Sequence, residues 1–364
     1  MKWNWQQNEW PRFKYDSKAL EAYEQEFLLK SGEHYGAFKH ISDQDKDQLK
    51  IELISEEALK TSKIEGENLN RDSIQSSICR QFGLTTDHRR ITPAEHGIAE
   101  MMIDLYTTFE TPLTHEILGR WHHQLMKGQE VEEEIYRPHK DPMQVISGPI
   151  HAPNIHFEAP PSETIQAEMD QFIDWFNNSA PNGKHPLPTL TRAGITHLYF
   201  VSIHPFEDGN GRIARALSEK SLAQNLGYPT LIALADTIEQ HRKDYYNSLE
   251  KNNKNLEITP WLTYFAQTIL TAQTKTQKHI EFIIQKTKLY DQLKNKINPR
   301  QEKALQRIFK EGPNGFQGGL SAENYIIITK APRTTATRDL NDLIAKGALT
   351  KTGELKHTRY FLNT

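Results

Sequence analysis

His204-Pro205-Phe206-Glu207-Asp208-Gly209-Asn210-Gly211-Arg212-Ile213-Ala214-Arg215 stands between two segments of helical pattern and organises the rest of the sequence. An apolar helix predicted over 194–203 leads into the proline turn. The run Gly209-Asn210-Gly211 then lets backbone N–H groups converge where the next helix begins, at the positive end of its dipole. This stretch therefore predicts a binding site for an anion such as a chain of phosphates.

The side chains of the stretch suit chemistry on such an anion. Arg212 and Arg215 lie three residues apart, on one face of the predicted helix, where guanidinium groups can bind several phosphate oxygens. Asp208 offers a hard oxygen ligand, and Mg²⁺ usually takes one or two carboxylates together with substrate phosphates. His204, with an unperturbed imidazole pKa of about 6.5, can accept a proton from an attacking hydroxyl.

The twelve residues HPFEDGNGRIAR match every defined position of the Fic family signature HPFx(D/E)GNGRxxR, and the sequence resembles that family from about Thr92 to Phe265. The resemblance implies a mainly α fold, a Fic-type helical bundle with one β-hairpin flap. It implies that His204 is the general base and that Asp208 holds Mg²⁺. The residues implied to bind the nucleotide phosphates are Gly209, Asn210, Gly211, Arg212 and Arg215, with Arg215 on the γ-phosphate and Phe206 as the core anchor of the binding loop.

The implied activity is transfer of AMP from Mg-ATP to a Ser, Thr or Tyr hydroxyl of a protein, this chain included. Some members of the family transfer UMP, phosphate or phosphocholine instead, so the identity of the transferred group stays open. Tyr245 and Tyr246 are candidates for enclosing the adenine, and the alternative is that they are core residues.

The predicted flap covers about residues 143–160, MQVISGPIHAPNIHFEAP. Two short β-like runs flank turn residues here, which is typical of a hairpin. In the Fic family this flap aligns an extended segment of the target by strand pairing. His151 and His156 are five residues apart without a third ligand, so they do not indicate a metal site.

A second pattern precedes the first. Thr61-Ser62-Lys63-Ile64-Glu65-Gly66 matches (S/T)xxxE(G/N), the inhibitory helix of self-restrained Fic proteins, and Ser42 is positioned to cap a helix over about 43–66. The resemblance implies inhibitory roles for Thr61, Glu65 and Gly66, with Glu65 pairing with Arg215 and leaving ATP misaligned. A further hypothesis is that Glu65 also serves removal of AMP from the modified protein.

The sequence divides into an aromatic segment at 1–40, a Fic domain at 41–285, a helical linker at 286–295 and a tail at 296–364. The aromatic segment is expected to pack on the rest of the protein. Three predicted helices and two strands make the tail resemble a winged helix-turn-helix, and its net charge of +6 leaves −9 for the first 295 residues. DNA binding, protein docking and homodimer formation through the tail stay open. The alternative function is a DNA-binding regulator with the Fic domain as its sensor.

Bulk properties exclude several classes. The 364 residues contain the single cysteine Cys79, which excludes an internal disulfide and a cysteine-based zinc site and favours a cytoplasmic setting. No apolar run approaches the roughly 18 residues that span a membrane. The first residues have no apolar core of a secretory signal, so a cytoplasmic enzyme with no membrane partner is expected.

Overall fold

The structure is a computed structural model that describes residues 2–39, 41–84, 90–129, 134–149, 153–312, 315–316 and 318–363. His151 lies outside these residues, as do two neighbours in the predicted flap. The α-helices within the described residues are α1 Glu21–Lys39, α2 Asp43–Ile64, α3 Arg71–Gln81, α4 Pro93–Thr107, α5 His115–Leu125, α6 Ser162–Asn178, α7 Thr189–Ile203, α8 Asn210–Leu226, α9 Leu234–Gln240, α10 Arg242–Asn252, α11 Thr259–Leu293, α12 Pro299–Phe309, α13 Ala322–Thr329 and α14 Arg333–Ala345. The strands are β1 Gln144–Ser147, β2 Asn154–Glu158, β3 Leu349–Thr352 and β4 Arg359–Leu362.

The strands pair as two antiparallel hairpins, β1 with β2 and β3 with β4. The β1–β2 hairpin lies within the predicted flap. The expectation of a mainly α fold with a β-hairpin flap is confirmed.

Several helix starts follow the capping chemistry of the sequence. Thr92 caps α4, because its hydroxyl accepts from the Glu95 N–H while the Glu95 carboxylate accepts from the Thr92 N–H. The Thr111-Pro112 pair also predicts a helix start, and this prediction is wrong. The Thr111 hydroxyl donates to the Thr108 carbonyl at 2.7 Å, and Thr114 caps α5 instead by accepting from the Ile117 N–H at 3.3 Å.

The chain forms two compact units, one of residues 1–33 and 47–274 and the other of residues 34–46 and 275–364. In the first unit, α7 packs against α8, and almost every residue of α7 is buried. Two apolar clusters flank this pair, one including Trp121 and Phe200 and the other including Trp261 and Phe265. The first turn of α8 is thereby held on a rigid support.

The aromatic N-terminal segment packs on the first unit. Trp10 meets Tyr199 of α7 edge to face, with ring centroids 5.2 Å apart, and Phe13 joins the same cluster. The Trp5 indole N–H donates to the Glu158 carbonyl at the end of β2, at 2.6 Å. The expectation that these aromatics bury themselves against the protein is confirmed.

The second unit contains α12, α13, α14 and the β3–β4 hairpin around its own core, which includes Leu305, Leu340 and Tyr360. The order of three helices and two strands is the predicted one. Its Asp339 carboxylate is nearly buried and accepts from Arg300 at 2.9 Å and from the Tyr325 hydroxyl at 3.1 Å. The winged-helix interpretation and the partners suggested for this unit stay predictions. The helix α11 continues through most of the predicted linker.

Candidate active site

The turn between α7 and α8 is fixed by its own hydrogen bonds. It begins at His204, whose φ of 53° and ψ of 58° take the chain out of the helix. The Asn210 side chain closes the turn by donating to the Phe206 carbonyl at 2.7 Å and accepting from the Phe206 N–H at 3.0 Å. Gly209, with a φ of 89°, then starts α8 in a conformation that favours glycine.

The first turn of α8 presents backbone N–H groups that precede the first hydrogen bond within the helix. The Ile213 N–H is the first to bond within the helix, to the Gly209 carbonyl at 3.0 Å. The N–H groups of Asn210, Gly211 and Arg212 precede that bond and lie at the positive end of the helix dipole. Backbone donors in this arrangement bind phosphate oxygens.

Two arginines of α8 are buried with unused donors. Arg212 and Arg215 are each 2% exposed, and among the described residues neither Nε of Arg212 nor Nη1 of Arg215 has a hydrogen-bond partner. A buried donor without a partner is costly, so these atoms indicate a ligand rich in oxygen. Burial opposes the charge of Arg215, but the neighbouring Glu65 carboxylate raises the pKa of Arg215 above its usual value.

His204 is neutral at physiological pH. Burial, with a smaller contribution from the Arg137 charge, lowers the pKa of its imidazole to about 4. Its Nδ1 faces the Val201 carbonyl at 3.4 Å, so that nitrogen carries the hydrogen. Nε2 is then the acceptor, the form required of a general base.

Asp208 is the carboxylate that directly precedes Gly209 in the sequence. Its side chain is 62% exposed, Oδ1 accepts from the Gly209 N–H at 2.6 Å, and Oδ2 accepts from Arg212 at 3.0 Å. Within the described residues there is no group of three or more His, Cys, Asp or Glu side chains that could hold a metal ion. One exposed carboxylate beside an anion-binding turn fits a Mg²⁺ that arrives with a nucleotide, because the phosphates supply further ligands.

The segment that ends α2 meets Arg215. Arg215 donates through Nε to the Thr61 hydroxyl at 2.7 Å and through Nη2 to the Thr61 carbonyl at 3.0 Å. Nη2 also donates to Glu65 Oε1 at 2.7 Å, so the predicted pairing of Glu65 with Arg215 is present. A Cβ placed on Gly211 would lie 2.2 Å from Glu65 Oε1. The Glu65 carboxylate therefore rests directly on the first turn of α8.

Comparison with known proteins identifies this region. A family model described as Fic/DOC family matches residues 112–222, which include the whole turn. The chain carries a Fic/DOC domain. A second model, described as a domain of unknown function (DUF4172), matches residues 3–84 and so includes the Thr61–Glu65 segment.

Relatives of the Fic domain bear names that describe an activity. "Protein adenylyltransferase Fic" of Nematostella vectensis is 31% identical over 131 residues, which are 36% of this chain and 27% of that protein. "Protein adenylyltransferase fic-1" of Caenorhabditis elegans is 32% identical over 105 residues, 29% of this chain and 19% of that protein. This chain thus spans about a quarter or less of the length of these relatives.

Two solved structures share the fold. A Fic family protein from Desulfovibrio desulfuricans G20 superposes with a TM-score of 0.54 at 20% identity, covering 93% of this chain and 95% of that one. Fic-1 from C. elegans superposes with a TM-score of 0.52 at 20% identity, covering 73% of this chain and 75% of that one. At these identities the likeness concerns the fold alone.

The Fic domain has a further contact that the sequence did not suggest. Gly66, with a φ of 91°, turns the chain after α2, and the next residue, Glu67, accepts from Arg212 Nη1 at 2.7 Å. The same guanidinium donates to Asp208. Both arginines of the Fic motif are thus bound to carboxylates of the segment 65–67.

Phe206 of the Fic motif is a core residue. Its ring is 1% exposed and stacks on the His122 ring, with centroids 4.1 Å apart. Burial lowers the pKa of His122 to about 4, so this histidine is a neutral support beneath the turn. Phe206 therefore packs as a core residue beneath the loop, and its grouping with the nucleotide-binding residues stays a prediction.

The two tyrosines of the Fic domain occupy different environments. Tyr245 is 1% exposed, and its hydroxyl meets His197 Nε2 at 2.7 Å, so it is a core residue and does not enclose an adenine. Tyr246 is 38% exposed, and its hydroxyl donates to Glu65 Oε2 at 3.3 Å. Neighbouring positions on a helix point in different directions, which separates the pair.

Arg137 joins the turn of the Fic motif to the end of the flap. Its Nε donates to the His204 carbonyl at 2.9 Å and its backbone N–H to the Pro205 carbonyl at 3.0 Å. Nη2 donates to the Pro160 carbonyl, just beyond β2, and Nη1 to the Ser162 hydroxyl at 3.1 Å. No sequence pattern marks Arg137, because most of its partners are backbone carbonyl groups.

Within the described residues, no helix combines the length and the apolar content that crossing a membrane requires.

Proposed function

We propose that this chain is a protein adenylyltransferase that transfers AMP from ATP to a hydroxyl group of a protein. The observation that carries the proposal is the convergence of free helix N–H groups, two buried arginines with unused donors and a neutral imidazole at one turn. The names of the relatives supply the nature of the transferred group.

The proposed reaction is an in-line displacement. The acceptor oxygen forms a bond to the α-phosphorus, the bond from that phosphorus to the bridging oxygen breaks, and pyrophosphate leaves. His204 Nε2 takes the proton of the hydroxyl, while Arg212, Arg215 and the first N–H groups of α8 hold the phosphates. A Mg²⁺ bound through Asp208 would supply charge neutralisation on the phosphates.

The same site is held inactive by the segment that follows α2. The Glu65 carboxylate lies on the first turn of α8 and engages Arg215, the residue proposed for the γ-phosphate. The Glu65 carboxylate repels an incoming phosphate and occupies Arg215, so the γ-phosphate loses its binding partner. ATP then binds in a poor position for attack. Thr61 strengthens the contact by accepting two further hydrogen bonds from Arg215.

Glu67 forms the second arm of this restraint. It binds Arg212, whose other terminal nitrogen is held by Asp208, the proposed metal ligand. To reach the position for attack, a phosphate chain must therefore displace both carboxylates, Glu65 and Glu67, from the arginines. The resting enzyme is mostly off.

Labelled nucleotides test the proposed function. Protein incubated with Mg²⁺ and ATP labelled at the α-phosphorus is expected to become labelled, whereas label at the γ-phosphorus leaves with pyrophosphate. Protein labelled from the γ position would refute AMP transfer and indicate a kinase, and labelling from UTP in preference to ATP would indicate UMP transfer. Arg215→Gln is expected to lose the activity, and Arg120→Gln, a change at an exposed arginine of α5, is the matched control.

A further inference from the structure

The flap contains a second set of side chains with the geometry of nucleophilic chemistry. The Ser147 hydroxyl, at the end of β1, lies 2.6 Å from His156 Nε2. His156 Nδ1 lies 2.9 Å from Glu250 Oε2 on α10. These three residues, Ser147, His156 and Glu250, are called the flap triad below.

A bulge in the hairpin builds the flap triad. Val145 pairs with Phe157 and Ile146 with Ile155, which leaves His156 as the extra residue of β2. A bulge re-aims the side chain that it carries. The His156 carbonyl also accepts from Asn253 at 3.0 Å, so both the backbone and the imidazole of this residue are fixed by the end of α10 and the turn after it.

The partners of the imidazole set the direction of its hydrogen bonds. Nδ1 faces a carboxylate and therefore carries the hydrogen, which leaves Nε2 as an acceptor. The Ser147 O–H then donates to Nε2. A hydroxyl, a base within hydrogen-bond reach and a third group that orients the base are the parts of an activated nucleophile.

We propose that Ser147 is an acceptor site for AMP, modified by a second copy of this chain. This inference rests on the proposed function. Ser147 is the only Ser, Thr or Tyr between residues 141 and 161, so it is the one hydroxyl that the flap offers. It is exposed and terminates β1, a strand of a two-stranded sheet whose outer edge has no partner among the described residues. An extended hydroxyl-bearing segment with an unpaired edge is what strand addition at another copy's flap requires.

Ser147 Oγ forms a bond to the α-phosphorus of ATP held by the other copy, the bond from that phosphorus to the bridging oxygen breaks, and pyrophosphate leaves. The Ser147 proton passes to His156 Nε2, and the Glu250 carboxylate balances the imidazolium charge. This acceptor therefore brings its own base and does not depend on His204 of the catalysing copy.

Two distinguishable copies test the proposal. The acceptor copy carries His204→Ala and retains Ser147, and the catalyst copy carries Glu65→Gly and Ser147→Ala. After incubation with Mg²⁺ and α-labelled ATP, peptide mapping is expected to find AMP on Ser147 of the acceptor. In the acceptor, His156→Gln should lower that labelling at least tenfold, and Glu250→Gln, which leaves the hairpin sequence intact, should lower it several-fold. His185→Gln, at an exposed histidine outside the flap, should leave it unchanged.

Label on other hydroxyls of the acceptor with Ser147 unmodified would overturn the proposal. Equal labelling of Ser147 in the His156→Gln and Glu250→Gln acceptors would overturn the role of the flap triad. If the catalyst labels no protein at all, the proposed function fails, and the two failures are thereby distinguished.

Discussion

Replacing Glu65 by Gln is expected to release the enzyme from restraint while preserving the shape of the side chain. The contact from Glu65 Oε1 to Arg215 Nη2 is 2.7 Å long, and the two side chains are 25% and 1% exposed, so solvent screens it only in part. A hydrogen bond to a charged group contributes about 1.5–3 kcal/mol. Since about 1.4 kcal/mol is a factor of ten, loss of the charge should raise the rate of AMP transfer by about 10- to 150-fold.

The assay is incorporation of α-labelled ATP into the protein at limiting nucleotide, comparing wild type, Glu65→Gln and Glu65→Gly. Glu56→Gln is the matched control, because Glu56 is also 25% exposed and lies on α2 but faces Lys60 and Arg71. Its rate should equal that of wild type. The apparent affinity for ATP should change less than the rate, since the carboxylate misaligns the nucleotide more than it excludes it.

Equal rates for wild type and Glu65→Gln would refute the reasoning, provided that both proteins unfold at similar temperatures. A rise in the Glu56→Gln control would show that loss of any negative charge on α2 activates the enzyme. Glu67→Gln tests the second arm. It should activate several-fold alone, and the double variant Glu65→Gln/Glu67→Gln should exceed either single change, because each carboxylate holds a different arginine.

Four further predictions concern the base and the packing. With Ser147→Ala in the background, His204→Ala should lower AMP transfer to the remaining hydroxyls by about 10²- to 10⁴-fold, the usual contribution of a general base, measured as label incorporated per minute. Because burial lowers the pKa of His204 to about 4 and the neutral form is the active one, the rate of AMP transfer should be level through pH 6 to 8 and fall as the pH drops towards 4. An inflection of this rate profile at about pH 6.5 would show that the His204 imidazole is solvated instead. Gly97→Ala should destabilise the protein by about 3 kcal/mol or more in urea unfolding, since its Cβ would lie 1.8 Å from the Gln124 carbonyl oxygen. Gly32→Ala, in a helix with open space around it, should instead stabilise by about 0.5–1 kcal/mol.

The sequence was most informative where the structure is local. The turn from His204 to Arg215 depends on contacts within twelve residues, such as the Asn210 side chain on Phe206, and so its form follows from the residues themselves. The pairing of Glu65 with Arg215 joins residues 150 positions apart. It was predictable only because a family pattern names both partners.

Other features depend on tertiary placement that no local pattern encodes. The sequence predicts no role for Glu67, because its partner Arg212 is 145 residues away. The sequence assigned Tyr245 and Tyr246 the same candidate role. The Tyr245 ring instead lies in the core, where its hydroxyl contacts His197. The flap triad requires both a strand bulge and a helix 94 residues beyond His156, and neither is visible in the residues of the hairpin.

The position of the Glu65 carboxylate over Gly211 limits which mutations could release the proposed restraint. A side chain at residue 211 would displace the Glu65 carboxylate, but that side chain would itself occupy the surface proposed for the phosphates. A change at Arg215 would remove the group that binds both the Glu65 carboxylate and the γ-phosphate. In a genetic selection for hyperactive enzyme, surviving alleles should therefore fall within residues 61–67, while alleles within residues 204–215 should appear only among the inactive ones.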